Sequence, residues 1–96
     1  MRIIFSHGKE GSPESRKIVQ LSRLAEAAGH EVLAPDYREM PSPEDRARHL
    51  LEFLQDPERD TILVGSSMGG YISLVATARS VSPVRGIFLM APALYL

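Results

Sequence analysis

Short apolar runs alternate with amphipathic segments along this chain. Four runs are nearly continuous in apolar residues, at positions 3–5, 31–34, 61–64 and 86–90. Runs of this kind are typical of parallel strands that are covered on both faces. The three segments between them carry apolar residues at helical spacing, so the pattern predicts strand, helix, strand, helix, strand, helix, strand.

Capping residues predict where the helices begin and end. The first helix should start with Ser12 as N-cap and stop at Gly29, and the second should start at Ser42 and stop before Pro57. The third should cover about residues 68–79. The residues expected on the buried faces are Ile18, Leu21, Ala25, Ala28, Ala47, Leu50, Leu51, Leu54, Ile72, Val75 and Ala76.

This alternation predicts a doubly wound α/β fold. Because crossovers between parallel strands are right-handed, few topologies remain, and we expect a four-stranded parallel sheet in the order 2-1-3-4 inside a three-layer sandwich. We expect residues 1–96 to form a single domain.

Composition narrows the chemistry. The chain has no cysteine, which excludes a disulfide framework, a thiolate metal site and a cysteine nucleophile. The net charge is -1 with acids and bases interspersed, so we predict neither a nucleic-acid nor a membrane partner. Since no apolar run approaches the roughly 20 residues of a membrane span, we predict a cytoplasmic location.

The loop that follows the third apolar run carries a candidate nucleophile. Gly65-x-Ser67-x-Gly69 fits the nucleophile elbow, in which a serine occupies a sharp turn between a strand and a helix. Its hydroxyl would stand at the N-terminus of the third helix, which favours developing negative charge. We select Ser67 over Ser66 because only Ser67 has glycines two residues away on both sides.

Two other interpretations of this turn stay open. The glycines could serve only the close packing of a helix on the sheet, or the turn could bind the phosphate of a nucleotide. Against a nucleotide, no lysine follows the glycines as in a P-loop, and the first run is not followed by GxGxxG.

Acyl transfer also needs two hydrogen-bond donors aimed at the oxyanion. One should be the backbone N–H of Met68, the residue after the candidate nucleophile. The other should come from the loop after the first strand, where Lys9 follows His7-Gly8.

Four stretches together, "FSHGKEGSP", "APDYR", "VGSSMGGY" and "FLMAPALYL", resemble the small bacterial α/β-hydrolase-fold esterases of the YqiA/YcfP-like group, over essentially the whole chain. The resemblance implies an α/β-hydrolase core, a carboxylic ester or thioester substrate, a Ser-His-Asp triad and no cofactor or metal. By position it implies Ser67 as nucleophile, and Lys9 and Met68 as oxyanion amides.

The chain departs from that family in one respect. In such hydrolases the acid and the histidine follow the serine, whereas no histidine or acidic residue follows Ser67 here. The chain is therefore the N-terminal half of a longer hydrolase, a non-catalytic binding or dimerisation module on the same scaffold, or an enzyme with local substitutes. The strand order would place His7 beside Ser67, with Asp36 on the far side of His7; the other role for His7 is to hold its loop.

Two further expectations concern surfaces. Asp36 and Tyr37 either line a substrate pocket or form a turn with an Asp cap. The apolar strand from Gly86 to Met90 would be an uncharged sheet edge, so we expect self-association through it, as a homodimer or another homo-oligomer.

Overall fold

The four apolar runs form an all-parallel sheet. In the computed structural model, which describes residues 1–90, the strands are β1 (Arg2–Ser6), β2 (Glu31–Leu33), β3 (Thr61–Ser66) and β4 (Val84–Met90). Their order is β2-β1-β3-β4, which confirms the prediction. The last part of the stretch "FLMAPALYL", from residue 91 on, lies outside the described residues.

Three helices cover the two faces of the sheet: α1 (Arg16–Ala27), α2 (Pro43–Glu52) and α3 (Met68–Thr77). On one face Leu50 of α2 and Ile72 of α3 pack with the strand residues Ile4 and Leu63. On the other face Ile18 of α1 packs with Phe5 and Val64. Successive strand residues thus point into opposite cores, and the predicted three-layer sandwich is confirmed.

The predicted start of the first helix was wrong. Ser12 opens a separate turn, in which its hydroxyl accepts from the Glu14 N–H at 3.2 Å and its carbonyl accepts from the Ser15 N–H at 3.1 Å. Ser15 is extended, so α1 begins only at Arg16. Of the residues expected on its buried face, only Ile18 is fully buried.

The end of α1 agrees with the sequence. Gly29 has a φ of 91°, and its N–H donates to the Glu26 carbonyl at 3.0 Å. The next N–H, that of His30, donates to the Ala25 carbonyl at 3.0 Å. This pair of bonds is the Schellman motif that a glycine after a helix predicts.

Helix α2 starts as predicted and ends earlier. The Ser42 hydroxyl accepts from the N–H groups of Glu44 at 3.1 Å and Asp45 at 3.4 Å, which caps the helix. The helix stops at Glu52. Leu54 remains buried, but its carbonyl turns to accept from the Val81 and Ser82 N–H groups, and these bonds to a distant loop replace the last helical turn.

Helix α3 follows the prediction within two residues, with one difference on its buried face. Ile72 and Ala76 are buried, whereas Val75 is 40% exposed. No helix within residues 1–90 is both long and apolar enough to cross a membrane.

Candidate active site

Ser67 occupies a strained turn between β3 and α3. Its φ is 55° and its ψ is -119°, and it is the only residue other than glycine with a positive φ among residues 1–90. These angles belong to the glycine-favoured first central position of a type II′ turn, and a serine held there costs about 1–3 kcal/mol. The Ser67 N–H donates to the Met90 carbonyl at 3.0 Å, which ties the turn to β4.

The glycines two residues away make this turn sterically feasible. A Cβ on Gly69 would lie closer than 3.0 Å to the Ser6 main chain of β1. A Cβ on Gly65 would likewise lie closer than 3.0 Å to the main chain of Gly69 and Gly70. Strand, turn and helix therefore touch through their backbones, which is the close packing expected of an elbow.

The turn opens onto a cleft that the loop after β1 completes. Ser67 is half-buried, and Gly8 lies against it, because a Cβ on Gly8 would be 3.0 Å from the Ser67 Cβ and 3.7 Å from its hydroxyl. In the part of the chain described here, the N–H groups of Lys9 and Met68 donate to no protein acceptor. The residues lining the cleft are His7, Gly8, Lys9, Glu10, Gly11, Ser15, Ser66 and Ser67.

His7 is fully engaged inside the protein. It is 1% exposed, and its Nε2 accepts from the Tyr37 N–H at 2.8 Å. Because a backbone N–H can only donate, the proton of the neutral ring is on Nδ1, which lies 2.8 Å from the Gly8 carbonyl and donates to it. While these bonds persist, neither ring nitrogen can take a proton from Ser67, so the geometry favours loop support over base catalysis.

Asp36 lies beside His7, as the strand order predicts, with 3.8 Å between its Oδ1 and the His7 Nε2. Its carboxylate accepts from the Arg38 side chain and from the Arg38 N–H at 3.0 Å, which makes the predicted Asp-capped turn. These hydrogen bonds lower the pKa of Asp36 to about 2. Asp36 borders a groove with Arg38, Glu39 and Met40, separate from the Ser67 cleft, and its role in a substrate pocket stays a prediction.

Tyr37 belongs to the core, which corrects its expected place in a pocket. Its side chain is 0% exposed, and its hydroxyl is 2.8 Å from that of Ser6 at the end of β1. Burial raises the pKa of Tyr37 to about 12. Tyr37 therefore supports the loop after β1 from the core side.

Arg46 was missed by the sequence reasoning. It lies on α2 within a run of charged residues, yet it is only 2% exposed and donates to three main-chain carbonyls, those of Met40, Gly8 and Lys9. One signal was available: Arg46 precedes Leu50 by four residues, which places it on the buried face of the helix.

A parallel sheet in this order, with a strained serine in the turn after its third strand, defines a core of the α/β-hydrolase type. The chain belongs to the alpha/beta hydrolase family, which matches residues 3–96.

A crystal structure from Xanthomonas campestris pv. campestris, described as a hydrolase of the alpha/beta superfamily, is similar to this chain with a TM-score of 0.85 and 28% sequence identity. The match covers 95% of this chain and 58% of that protein, and it falls on the N-terminal part of the hydrolase core, as the sequence predicted. No curated protein matches the chain.

Proposed function

We propose that this chain carries the nucleophile and the oxyanion site of a serine hydrolase that acts on carboxylic esters or thioesters. Ser67 attacks the acyl carbonyl, and the N–H groups of Lys9 and Met68 stabilise the oxyanion that forms. The observation that carries the proposal is the backbone of Ser67, with a φ of 55° at the start of α3. Strain of this kind is concentrated at functional sites, where the surrounding packing maintains it.

Two features of the cleft support these roles. The N–H groups of Lys9 and Met68 have no acceptor within residues 1–90, so both can donate to a ligand. Met68 is the first residue of α3, and the positive end of the helix dipole therefore lies beside Ser67. Both features favour negative charge at this point of the cleft.

The proton acceptor for Ser67 is not His7 in this proposal, because both ring nitrogens of His7 are hydrogen-bonded. A histidine and an acid from a further part of a hydrolase core would complete the triad. We place the protein with the small bacterial esterases of the YqiA/YcfP-like group on the motifs of its loops, and in the cytoplasm.

Labelling with a fluorophosphonate tests the role of Ser67. Because an oxyanion site alone accelerates acyl transfer when a triad residue is missing, we expect slow phosphonylation of the folded protein at Ser67, faster than in the denatured protein and lost in Ser67→Ala. Peptide mass spectrometry locates the label. Ser66→Ala is the matched control, since Ser66 lines the same cleft and should leave labelling unchanged. Labelling no faster than that of the denatured protein, or labelling at Ser66, would contradict the proposal.

A second candidate function is a non-catalytic binding module that keeps the hydrolase scaffold. The engagement of both His7 nitrogens favours it, because the histidine that lines the cleft is then unable to activate Ser67. The labelling experiment separates the two, since in a binding module without an oxyanion site Ser67 should react no faster than in the denatured protein.

We propose in addition that two copies of the chain pair along β4. Within residues 1–90, β4 is bonded to a neighbour on one side only, and it is seven residues long, against three for the opposite edge strand β2. Phe88 of β4 is 61% exposed beside an apolar depression of the sheet. A long edge strand whose residues from Gly86 to Met90 are uncharged is a template for pairing.

Light scattering at rising protein concentration tests the pairing. We expect a dimer whose dissociation is promoted by Phe88→Lys and not by Leu24→Lys, a matched change at a residue of α1 that is 68% exposed. A monomeric mass at millimolar concentration would contradict it.

A further inference from the structure

Arg46 is a buried cation with an unusual set of partners. No carboxylate of residues 1–90 lies within 4.0 Å of its guanidinium. It donates instead to the carbonyls of Met40 at 2.6 Å, Gly8 at 3.2 Å and Lys9 at 3.3 Å. A buried charge is costly unless it is hydrogen-bonded, and this residue directs three of its five guanidinium N–H donors to the main chain at two places. One of these places is the loop that faces Ser67.

The bonds to that loop fix one peptide group. The Gly8 carbonyl accepts from Arg46, from the His7 Nδ1 at 2.8 Å and from the Gly11 N–H at 3.1 Å. The peptide that joins Gly8 to Lys9 is planar and trans, so its C=O and its N–H point in opposite directions. Donors that hold the carbonyl on one side therefore hold the Lys9 N–H on the other side.

Both residues of this peptide border the cleft. Gly8 and Lys9 line it together with Ser67, and the Lys9 N–H has no acceptor in the described part of the chain. The second bond of Arg46, to the Lys9 carbonyl, fixes the following peptide as well. The guanidinium thus spans both peptides that flank the Lys9 α-carbon without itself lining the cleft.

We propose that Arg46 is the positioning residue of the oxyanion site: it holds the Gly8–Lys9 peptide so that the Lys9 N–H points at the oxygen of an acyl group bound to Ser67. This inference rests on the proposed function, because it assigns the oxyanion to that amide. In this proposal Arg46 touches neither the substrate nor the nucleophile, and it acts by fixing the orientation of the Gly8–Lys9 peptide.

Two measurements on the full chain test the proposal. Residual dipolar couplings report the direction of the Lys9 N–H in Arg46→Met and Arg46→Lys. Arg48→Met is the matched control, because Arg48 lies on the same helix, is 70% exposed and, among residues 1–90, bonds only to Asp45. We expect the Lys9 coupling to change in both Arg46 variants, while the Met68 coupling stays constant and Arg48→Met changes neither.

The second measurement is the rate of phosphonylation of Ser67 in the same variants. Loss of an oxyanion donor typically costs a factor of about 10²–10³, so a misdirected one should slow labelling roughly 10- to 100-fold in Arg46→Met. Arg46→Lys keeps the charge but cannot span three carbonyls, and we expect it to be slowed as well. Circular dichroism identifies any variant that does not fold. If Arg46→Met does not fold, the labelling rate of Arg46→Lys tests the proposal.

The outcomes separate the two proposals. Unchanged Lys9 couplings in a folded Arg46 variant, or labelling as fast as in the unaltered protein, would overturn the role of Arg46 and leave Ser67 as nucleophile. Absence of labelling in the unaltered protein would overturn the proposed function, while a changed coupling would still establish that Arg46 directs this amide.

Discussion

The two loops that meet at the cleft are held in different ways. The turn at Ser67 is held by steric contact with its neighbours, because Gly65 and Gly69 leave no space for a side chain. The loop after β1 is held by polar groups distant in sequence: Tyr37 and Arg46 bond to His7 and Gly8 across 30 and 38 residues. A sterically confined turn has no room for an added atom, whereas a hydrogen-bonded loop can lose one of its bonds and keep the others. Substitutions in the turn should therefore destabilise the protein more than substitutions that remove one hydrogen bond from the loop.

The largest effect is expected at the sterically held turn. In Gly69→Ala the new methyl group would meet the main chain of Ser6 and His7, which cannot move without breaking the β1 pairing. We expect a loss of more than about 4 kcal/mol in the free energy of unfolding, which few domains of this size survive. Urea denaturation followed by circular dichroism measures it.

Gly86→Ala provides the control for that substitution. The nearest atom to its new methyl group is at 3.7 Å, an ordinary contact, so the stability should change by less than about 1 kcal/mol. A Gly69→Ala protein as stable as Gly86→Ala would show that the turn is not confined by β1.

An intermediate effect is expected in the hydrogen-bonded loop. His7→Phe keeps a buried ring but leaves the Tyr37 N–H without its acceptor and removes one donor to the Gly8 carbonyl. Because the Tyr37 N–H is then buried without an acceptor, the free energy of unfolding should fall by roughly 2–3 kcal/mol. The same denaturation experiment measures it. His30→Phe should cost less, because the Nδ1 of that histidine has no partner among residues 1–90. Equal losses in the two variants would contradict the loop-support role of His7.

This contrast also explains what could be predicted from sequence. The strands, their order and the turn at Ser67 follow from local patterns, since an apolar run and glycines two residues on either side are adjacent in the chain. The burial of Arg46 could be read from its position four residues before Leu50. The hydrogen-bond partners of Arg46 and Tyr37 could not be foreseen, because the pairing of β2 with β1 and the packing of α2 on the sheet bring together residues distant in sequence. Local reasoning misplaced the start of α1 for a related reason: Ser12 and Ser15 are both plausible caps, and the choice depends on the loop they border.

The smallest effect, and the one that changes sign with pH, is expected for Tyr37→Phe. At pH 7 the loss of the bond to the Ser6 hydroxyl should cost about 1 kcal/mol. The pKa of Tyr37 is about 12 in the folded protein, against about 10 in an unfolded chain. Between these values the unfolded state releases a proton that the folded state retains, so the unaltered protein loses about 1.4 kcal/mol of stability per pH unit relative to the variant. The stabilities of the two proteins, measured by denaturation from pH 8 to 12, should therefore become equal at about pH 11. A constant difference in stability between the two proteins across that range would mean that the Tyr37 hydroxyl is not buried. The loop after β1 would then lack the support of this residue.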